Sequence, residues 1–316
     1  MYQDRQAKHT ARVVRTSVLI LSLIITSCAS IPPLPSTSIV LADFDASRGA
    51  ITAVTEITPH AGYNNQPAFS ADGRTVYYVD DVNGATDIVR YDRTSGARTR
   101  VTQTPEAEFS PTPMPDGRSL SAVRVAHPTA SGEAYTESQQ LWRYDTTGRA
   151  IAPILGMRRI GYHCWLSDGM VAVFVVGDEE RNVPHALRVV ELTSRQSVTV
   201  ASSIGRTLRM SPQNRLTYVD KTDSTQWMLM SITQGEERGT SVLAMPRGSE
   251  DFVWLADGRV LMSSADGLLI AQQNGTAWSY TPVSGVLPLR GRIGRIAMSS
   301  DGRTLAMVVT RGVRSN

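Results

Sequence analysis

Phe69-Ser70-Ala71-Asp72-Gly73-Arg74, running into Thr75-Val76-Tyr77-Tyr78-Val79-Asp80, is the stretch that decides the fold. A short apolar run meets an Asp-Gly turn, the residue pair that supplies positive φ in a hairpin. Thr75–Asp80 is then dense in the β-branched and aromatic residues that strands favour. Working outward, Asn83-Gly84 is a second turn signal and Ile88–Tyr91 a third strand. Asp92–Gly96 is a third turn and Arg98–Thr102 a fourth strand of alternating polarity. Four strands in one unit make a propeller blade.

The unit recurs five times. Its turns read Pro113-Met114-Pro115-Asp116-Gly117-Arg118, Trp165-Leu166-Ser167-Asp168-Gly169-Met170, Met210-Ser211-Pro212-Gln213-Asn214-Arg215, Trp254-Leu255-Ala256-Asp257-Gly258-Arg259 and Met298-Ser299-Ser300-Asp301-Gly302-Arg303. Measured at the Asp position (Gln213 in the fourth unit), the steps are 44, 52, 45, 44 and 44 residues. A period in the forties with strand-turn-strand chemistry is the signature of a β-propeller. The fold class is therefore all-β, a six-bladed β-propeller. Unit two carries the long step, and its extra residues fall in Ala126–Gln139, which the pattern predicts as an enlarged surface loop.

The last unit holds a single strand, Thr304–Thr310, after its turn. The missing half lies at the other end of the chain. Ser38–Asp43 and Gly49–Thr55 match the third strand, turn and fourth strand of unit one. The N-terminal strands are thus expected to complete the last blade, which removes exposed sheet edges.

The leader Met1–Ser27 carries Arg5, Lys8, Arg12 and Arg15 against Asp4, and then an apolar run over Val18–Ile25. That layout is an export signal. Ile25-Thr26-Ser27-Cys28 resembles a bacterial lipobox, which makes Cys28 the expected lipid-attachment residue and the periplasmic side of a bacterial membrane the expected location. The competing expectation is an uncleaved anchor helix, although Thr16–Ile31 falls short of the ~20 residues that span a bilayer comfortably. Residues 1–35 are read as leader plus proline-rich tether, and residues 36–316 as the propeller.

Outside the leader, basic and acidic side chains balance, and no basic stripe argues for a nucleic-acid partner. No Gly-x-Ser-x-Gly elbow, His-Glu-x-x-His helix or phosphate-cradling loop occurs. His60, His127, His163 and His185 are scattered, so no metal site or cofactor is expected. Cys164, in His163-Cys164-Trp165, reads as a core thiol. Asp80-Asp81 and Asp178-Glu179-Glu180 read as solvated charge between second and third strands.

Segments leading from a fourth strand into the next inner strand gather at one mouth of a propeller channel. They are Asn64–Gln66, Glu106–Ser110, Arg158–His163, Gly205–Arg209, Arg247–Asp251 and Arg290–Arg295. Arginines dominate three of them, and Glu106, Glu108, Glu250 and Asp251 occupy two others. Opposed charge suits an extended peptide or protein loop; mutual pairing of these charges is the competing outcome. The candidate partner-binding residues are Arg159, His163, Arg209, Arg292, Arg295 and Glu108, with Tyr135 as an anchor from the unit-two loop.

The repeat, with Phe-Ser-x-Asp-Gly-Arg, a β-rich strand and Asp87-Ile88-Val89-Arg90-Tyr91-Asp92, resembles the TolB-type propeller repeat from Ser38 onward. The match departs from the pattern at Met170 and at Gln213-Asn214. The resemblance implies the propeller and an exported, partner-binding habit, without the N-terminal α/β domain of TolB. The role expected is non-enzymatic: an interaction or scaffolding subunit of a larger membrane complex, of envelope, respiratory or photosynthetic type. Its partners would be proteins of that complex, with the membrane held through the lipid or anchor. The alternative is a propeller that binds or hydrolyses a peptide or glycan at its central channel.

Overall fold

The computed structural model describes residues 34–310 apart from 59, 83–84, 131, 146 and 286–290. The leader, Cys28 and the turn at Asn83-Gly84 lie outside the described residues. Strands β1 (Thr37–Asp45) and β2 (Ala50–Glu56) come first. Blade one is β3 (Asn64–Phe69), β4 (Thr75–Val82), β5 (Ala85–Asp92) and β6 (Arg98–Arg100). Blade two is β7 (Ala107–Pro113), β8 (Ser119–Val125), β9 (Gln139–Asp145) and β10 (Ala150–Pro153), with helix α1 (Gly132–Ser138) inserted before β9. Blade three is β11 (Ile160–Ser167), β12 (Met170–Val175), β13 (Ala186–Glu191) and β14 (Ser197–Ser202). Blade four is β15 (Ile204–Met210), β16 (Leu216–Asp220), β17 (Met228–Ile232) and β18 (Thr240–Ala244). Blade five is β19 (Phe252–Trp254), β20 (Val260–Ser264), β21 (Gly267–Asn274) and β22 (Ala277–Pro282).

The sixth sheet joins the two ends of the chain. Its order is β23 (Ser284–Gly285), β2, β1, β25 (Thr304–Thr310) and β24 (Ile293–Met298). β1 pairs antiparallel with β25 from Thr37 opposite Thr310 to Asp43 opposite Thr304. The expected closure by N-terminal strands is the observed one, with β23 added as a short parallel strand on β2.

Alternation along β1 shows how the blades adhere. Val40, Ala42 and Phe44 pack with Leu261, Leu268 and Ile270 of blade five. Ile39 and Leu41, pointing the other way, pack with Val76, Tyr78 and Val89 of blade one. A strand buried on both faces reads as a near-continuous apolar run, as β25 does with six successive buried residues. Tryptophans at equivalent positions add polar contacts between blades. Trp165 Nε1 donates to Ser121 Oγ across blades two and three (2.9 Å), and Trp254 Nε1 to Thr217 Oγ1 across blades four and five (3.1 Å).

The repeated turns share one geometry. Ser70 Oγ donates to Asp72 Oδ1 (2.6 Å), which also accepts from Arg74 N (3.0 Å); Ser299, Asp301 and Arg303 repeat these bonds at the same lengths. The serine hydroxyls hold both aspartates below the usual carboxylate range. In units one, two, five and six the glycine of the Asp-Gly pair takes positive φ, as at Gly73 (70°) and Gly302 (69°), whereas Gly169 of unit three does not. In the fourth unit Asn214 occupies that slot at 55°, which explains why Gln213-Asn214 preserves the turn.

Two expectations are corrected. Ala126–Gln139 is not wholly a loop, because Gly132–Ser138 forms a helical turn against β8. Asp80 and Asp81 do not lie between strands: both belong to β4, where Asp80 is buried with His60 Nε2 2.7 Å from its Oδ1.

Candidate binding site in the central channel

The six inner strands β3, β7, β11, β15, β19 and β24 surround the channel. In five of them the antiparallel register slips near the entrance. The breaks fall between Asn65 and Ala68, Phe109 and Thr112, Ile160 and Tyr162, Ile204 and Leu208, and Ile293 and Ile296. Gln66 and Ser110, each followed by proline, take positive φ of 58° and 54°. A proline is tolerated where no ladder bond is required. The segments read from sequence as mouth loops are therefore largely the bulged first halves of the inner strands, and some of their side chains, Gln66, Ser110, Tyr162, Arg206, Arg209 and Arg295 among them, line the channel wall.

Hydrogen bonds run around this bulged belt. Ser110 N donates to Gln66 Oε1 (2.6 Å), and Ser110 Oγ to Gly161 O (3.3 Å). Arg206 N donates to Glu250 Oε2 (3.1 Å), while its guanidinium pairs with Glu250 and with Asp251 Oδ2, the latter at 2.6 Å. Gly205 permits this approach: a Cβ there would stand 2.5 Å from Glu250 Oε2. Both acidic residues are thus paired with Arg206, and Glu250 also approaches Lys221, so the opposed charges neutralise each other here.

The candidate residues fall into separate environments. Arg159 is engaged on the blade-three side, with Nη1 2.5 Å from Glu133 Oε1 and 2.9 Å from Glu137 Oε1 on α1, and Nη2 donating to Gly177 O. Tyr135 is partly buried on that same helix. Glu108 is fully buried between blades one and two, not at the surface. It accepts from Thr104 Oγ1 (2.6 Å) and Tyr144 OH (3.4 Å), its Oε2 has no partner, and burial pushes its pKa up to about 7. Arg292 is exposed at the rim and donates to Gly248 O (2.9 Å).

His163 is buried beside Ser121, with Nε2 2.7 Å from Ser121 Oγ. Ser121 donates its own proton to Thr112 O (3.0 Å) and accepts from Trp165 Nε1, so the histidine nitrogen is the donor in this contact. Nδ1 is left without a partner, and burial holds the imidazole neutral down to about pH 3. Cys164 lines the channel, and burial pushes its thiol up to about 11. Neither side chain is activated.

Arg209 and Arg295 remain. Arg209 donates to the carbonyls of Leu208 and Ile296, both at 3.3 Å. Arg295 Nη2 donates to Tyr162 OH (2.6 Å), and its guanidinium carbon lies 4.8 Å from the Tyr162 ring centroid. Both line a cavity of about 590 Å³ together with Ser110, Thr112, Tyr162 and Trp254. Tyr162 did not stand out in the sequence. The signal was available: Tyr162 and Arg295 are 133 residues apart, three repeats, which places them on opposite blades.

Among the described residues no group of three or more His, Cys, Asp or Glu side chains gathers as a metal site. No helix among them is long and apolar enough to cross a membrane.

Known protein-family profiles and curated proteins give no match to this chain. Solved structures do. A protein described as TolB from Agrobacterium tumefaciens is similar over 88% of this chain and 99% of its own, with a TM-score of 0.67 and 12% identity. An oligogalacturonate lyase in complex with manganese is similar over 82% of this chain and 80% of its own, with a TM-score of 0.57 and 14% identity. A gluconolactonase from Xanthomonas campestris matches over 89% and 98%, with a TM-score of 0.56 and 13% identity. At these identities the likeness establishes the shared propeller fold.

Proposed function

We propose that this chain is a non-enzymatic binding propeller. In this reading it is tethered through Cys28 on the periplasmic side of a bacterial membrane and serves as an interaction or scaffolding subunit of a larger membrane or envelope complex. One observation carries the reading. The channel offers side chains suited to holding a partner, Arg209, Arg295 and Tyr162, while its histidine, His163, is committed to the buried Ser121 and its thiol is unactivated. The leader, with its lipobox-like Ile25-Thr26-Ser27-Cys28, supports the tether. Similarity to a TolB-type propeller agrees with a binding role.

A second reading, a propeller that binds or turns over a peptide or glycan ligand, is favoured by the same arginines. It also agrees with the lyase and lactonase among its structural neighbours. Purification of the full chain from membranes in mild detergent separates the two. The scaffolding role predicts a partner at fixed stoichiometry that Arg292→Glu weakens, and a Cys28→Ala chain released from the membrane. A chain that purifies alone and turns over an oligogalacturonide, a lactone or a peptide would overturn it.

A further inference from the structure

The inner strands carry three arginines on neighbouring levels, and they are treated differently by the fold. Arg206 has two carboxylates, Glu250 and Asp251. Arg209 and Arg295 have none within ion-pair distance among the described residues, and their contacts are two carbonyls and one phenol. Outside the described residues the sequence offers a single acidic side chain, Asp4 in the leader. Asp251 lines the same cavity, but its carboxylate is held by Arg206 and forms no ion pair with either of them.

Enclosing a cation without a counter-charge is costly, and enclosing two that repel each other is more so. Burial lowers the pKa of Arg209; Cys164 and Asp251 act against that shift, and the charge of Arg295 acts with it. The phenol and carbonyl contacts offset part of this cost, and an anion joining the pair would offset more. The donor geometry fits one: each guanidinium carries more N–H groups than its present contacts use, and the planar fork suits a carboxylate bidentately. The cavity of about 590 Å³ lies within the ordinary range for ligand pockets. Ser110, Thr112 and Tyr162 add hydroxyls around it, and Trp254 supplies an apolar wall.

We propose that Arg209 and Arg295 form a binding site in the channel for the carboxylate of an incoming ligand. This deepens the binding reading above and rests on it. A carboxylate could come from an acidic segment of a partner protein or from a free small acid. Tyr162 would retain Arg295 from one side while the remaining guanidinium donors turn to the ligand.

The test uses the full chain in detergent. Thermal shift and tryptophan fluorescence would be recorded with glutarate, with an acetylated Gly-Glu-Gly peptide amide, with its Gly-Gln-Gly counterpart and with inorganic phosphate. Carboxylate probes are expected to raise the melting temperature by mass action, and Arg295→Gln to weaken them roughly 10- to 100-fold, the loss of a charge-assisted contact. Arg209→Lys, which keeps the charge but loses the fork, serves where Arg209→Gln fails to fold, and should weaken them less. A response to the peptide alone assigns the site to a protein segment; an equal response to glutarate assigns it to a free acid.

The proposal is overturned if neither carboxylate shifts the wild-type chain, if phosphate or the glutamine peptide does so equally, or if Arg295→Gln leaves affinity unchanged. Should it fail while a membrane partner still co-purifies with the Arg295→Gln chain, the binding role stands and only the carboxylate site falls.

Discussion

Arg295 on blade six and Tyr162 on blade three meet across the channel at 2.6 Å, so opposite sides of the ring are joined by one charged hydrogen bond. Tyr162 is braced behind by Phe174, with ring centroids 5.5 Å apart. Tyr162→Phe keeps the ring and its contact with the guanidinium but removes the hydroxyl. The expected loss is about 1–2 kcal/mol of unfolding free energy, read from the urea midpoint at unchanged slope. A midpoint equal to wild type would show the bridge contributes nothing.

Glu108 gives a pH signature. Its folded-state pKa, raised by burial to about 7, stands above its ordinary value of 4.5. The groups facing it are Thr104, Tyr144, Asp87, Thr102 and Arg124; the Asp87 charge raises its pKa further, and Thr104, Thr102 and Arg124 act against the rise. Between these two values the unfolded chain has released the proton and the folded chain retains it. Stability therefore falls as pH rises through that window and levels off above it. The amplitude is on the order of 3 kcal/mol. Glu108→Gln should flatten the dependence, measured by urea unfolding at pH 5 and pH 8.

Trp165 and Trp254 repeat one device at two seams. Trp165→Phe and Trp254→Phe should each cost about 1–2 kcal/mol, from a lost hydrogen bond and a small void. The seams are separate, so the double variant should show the sum to within about 0.5 kcal/mol. Far-UV circular dichroism during denaturation would follow this, and strong non-additivity would show the seams are coupled through the ring.

Closure predicts the effect of truncation. A chain beginning at residue 59 lacks β1 and β2, which leaves β25 with an open edge and uncovers Leu305, Met307 and Val309. Such edges recruit other chains. Light scattering should show aggregates, whereas a chain beginning at Leu34 keeps all the strands and should be monodisperse in their place.

Much of this fold could be read before any coordinates. The Asp-Gly turns mark the first hairpin of most blades, because a residue at positive φ is needed there and few residue types supply one. The split blade was visible because Ser38–Asp43 repeats the third-strand pattern of Ile88–Asp92. The inner strands begin earlier than the mouth segments suggest, since Asn64–Gln66 and most of Glu106–Ser110 already belong to β3 and β7, and the register slip there removes the ladder bonds that Pro67 and Pro111 could not make. Mutual pairing of the mouth charges is the competing expectation, and it holds for Arg206 and Glu250, whose separation of 44 residues is one repeat and sets them on adjacent blades. Glu108 looked like a surface charge because nothing in a single sequence says that Thr104 and Tyr144 will enclose it. What escaped the reading was contact between blades, which depends on the third dimension of the ring.

The pairing of Thr37–Asp43 with Thr304–Thr310 sets the timing of assembly. One end of the propeller must find the other, with the whole disc between them in sequence, so the ring cannot lock until both strands are present. Contacts that distant make for slow folding, and an apolar strand such as Ile39–Leu41 is left seeking company in the interval. Until Thr304–Thr310 docks beside it, β1 is the strand most open to pairing with another chain.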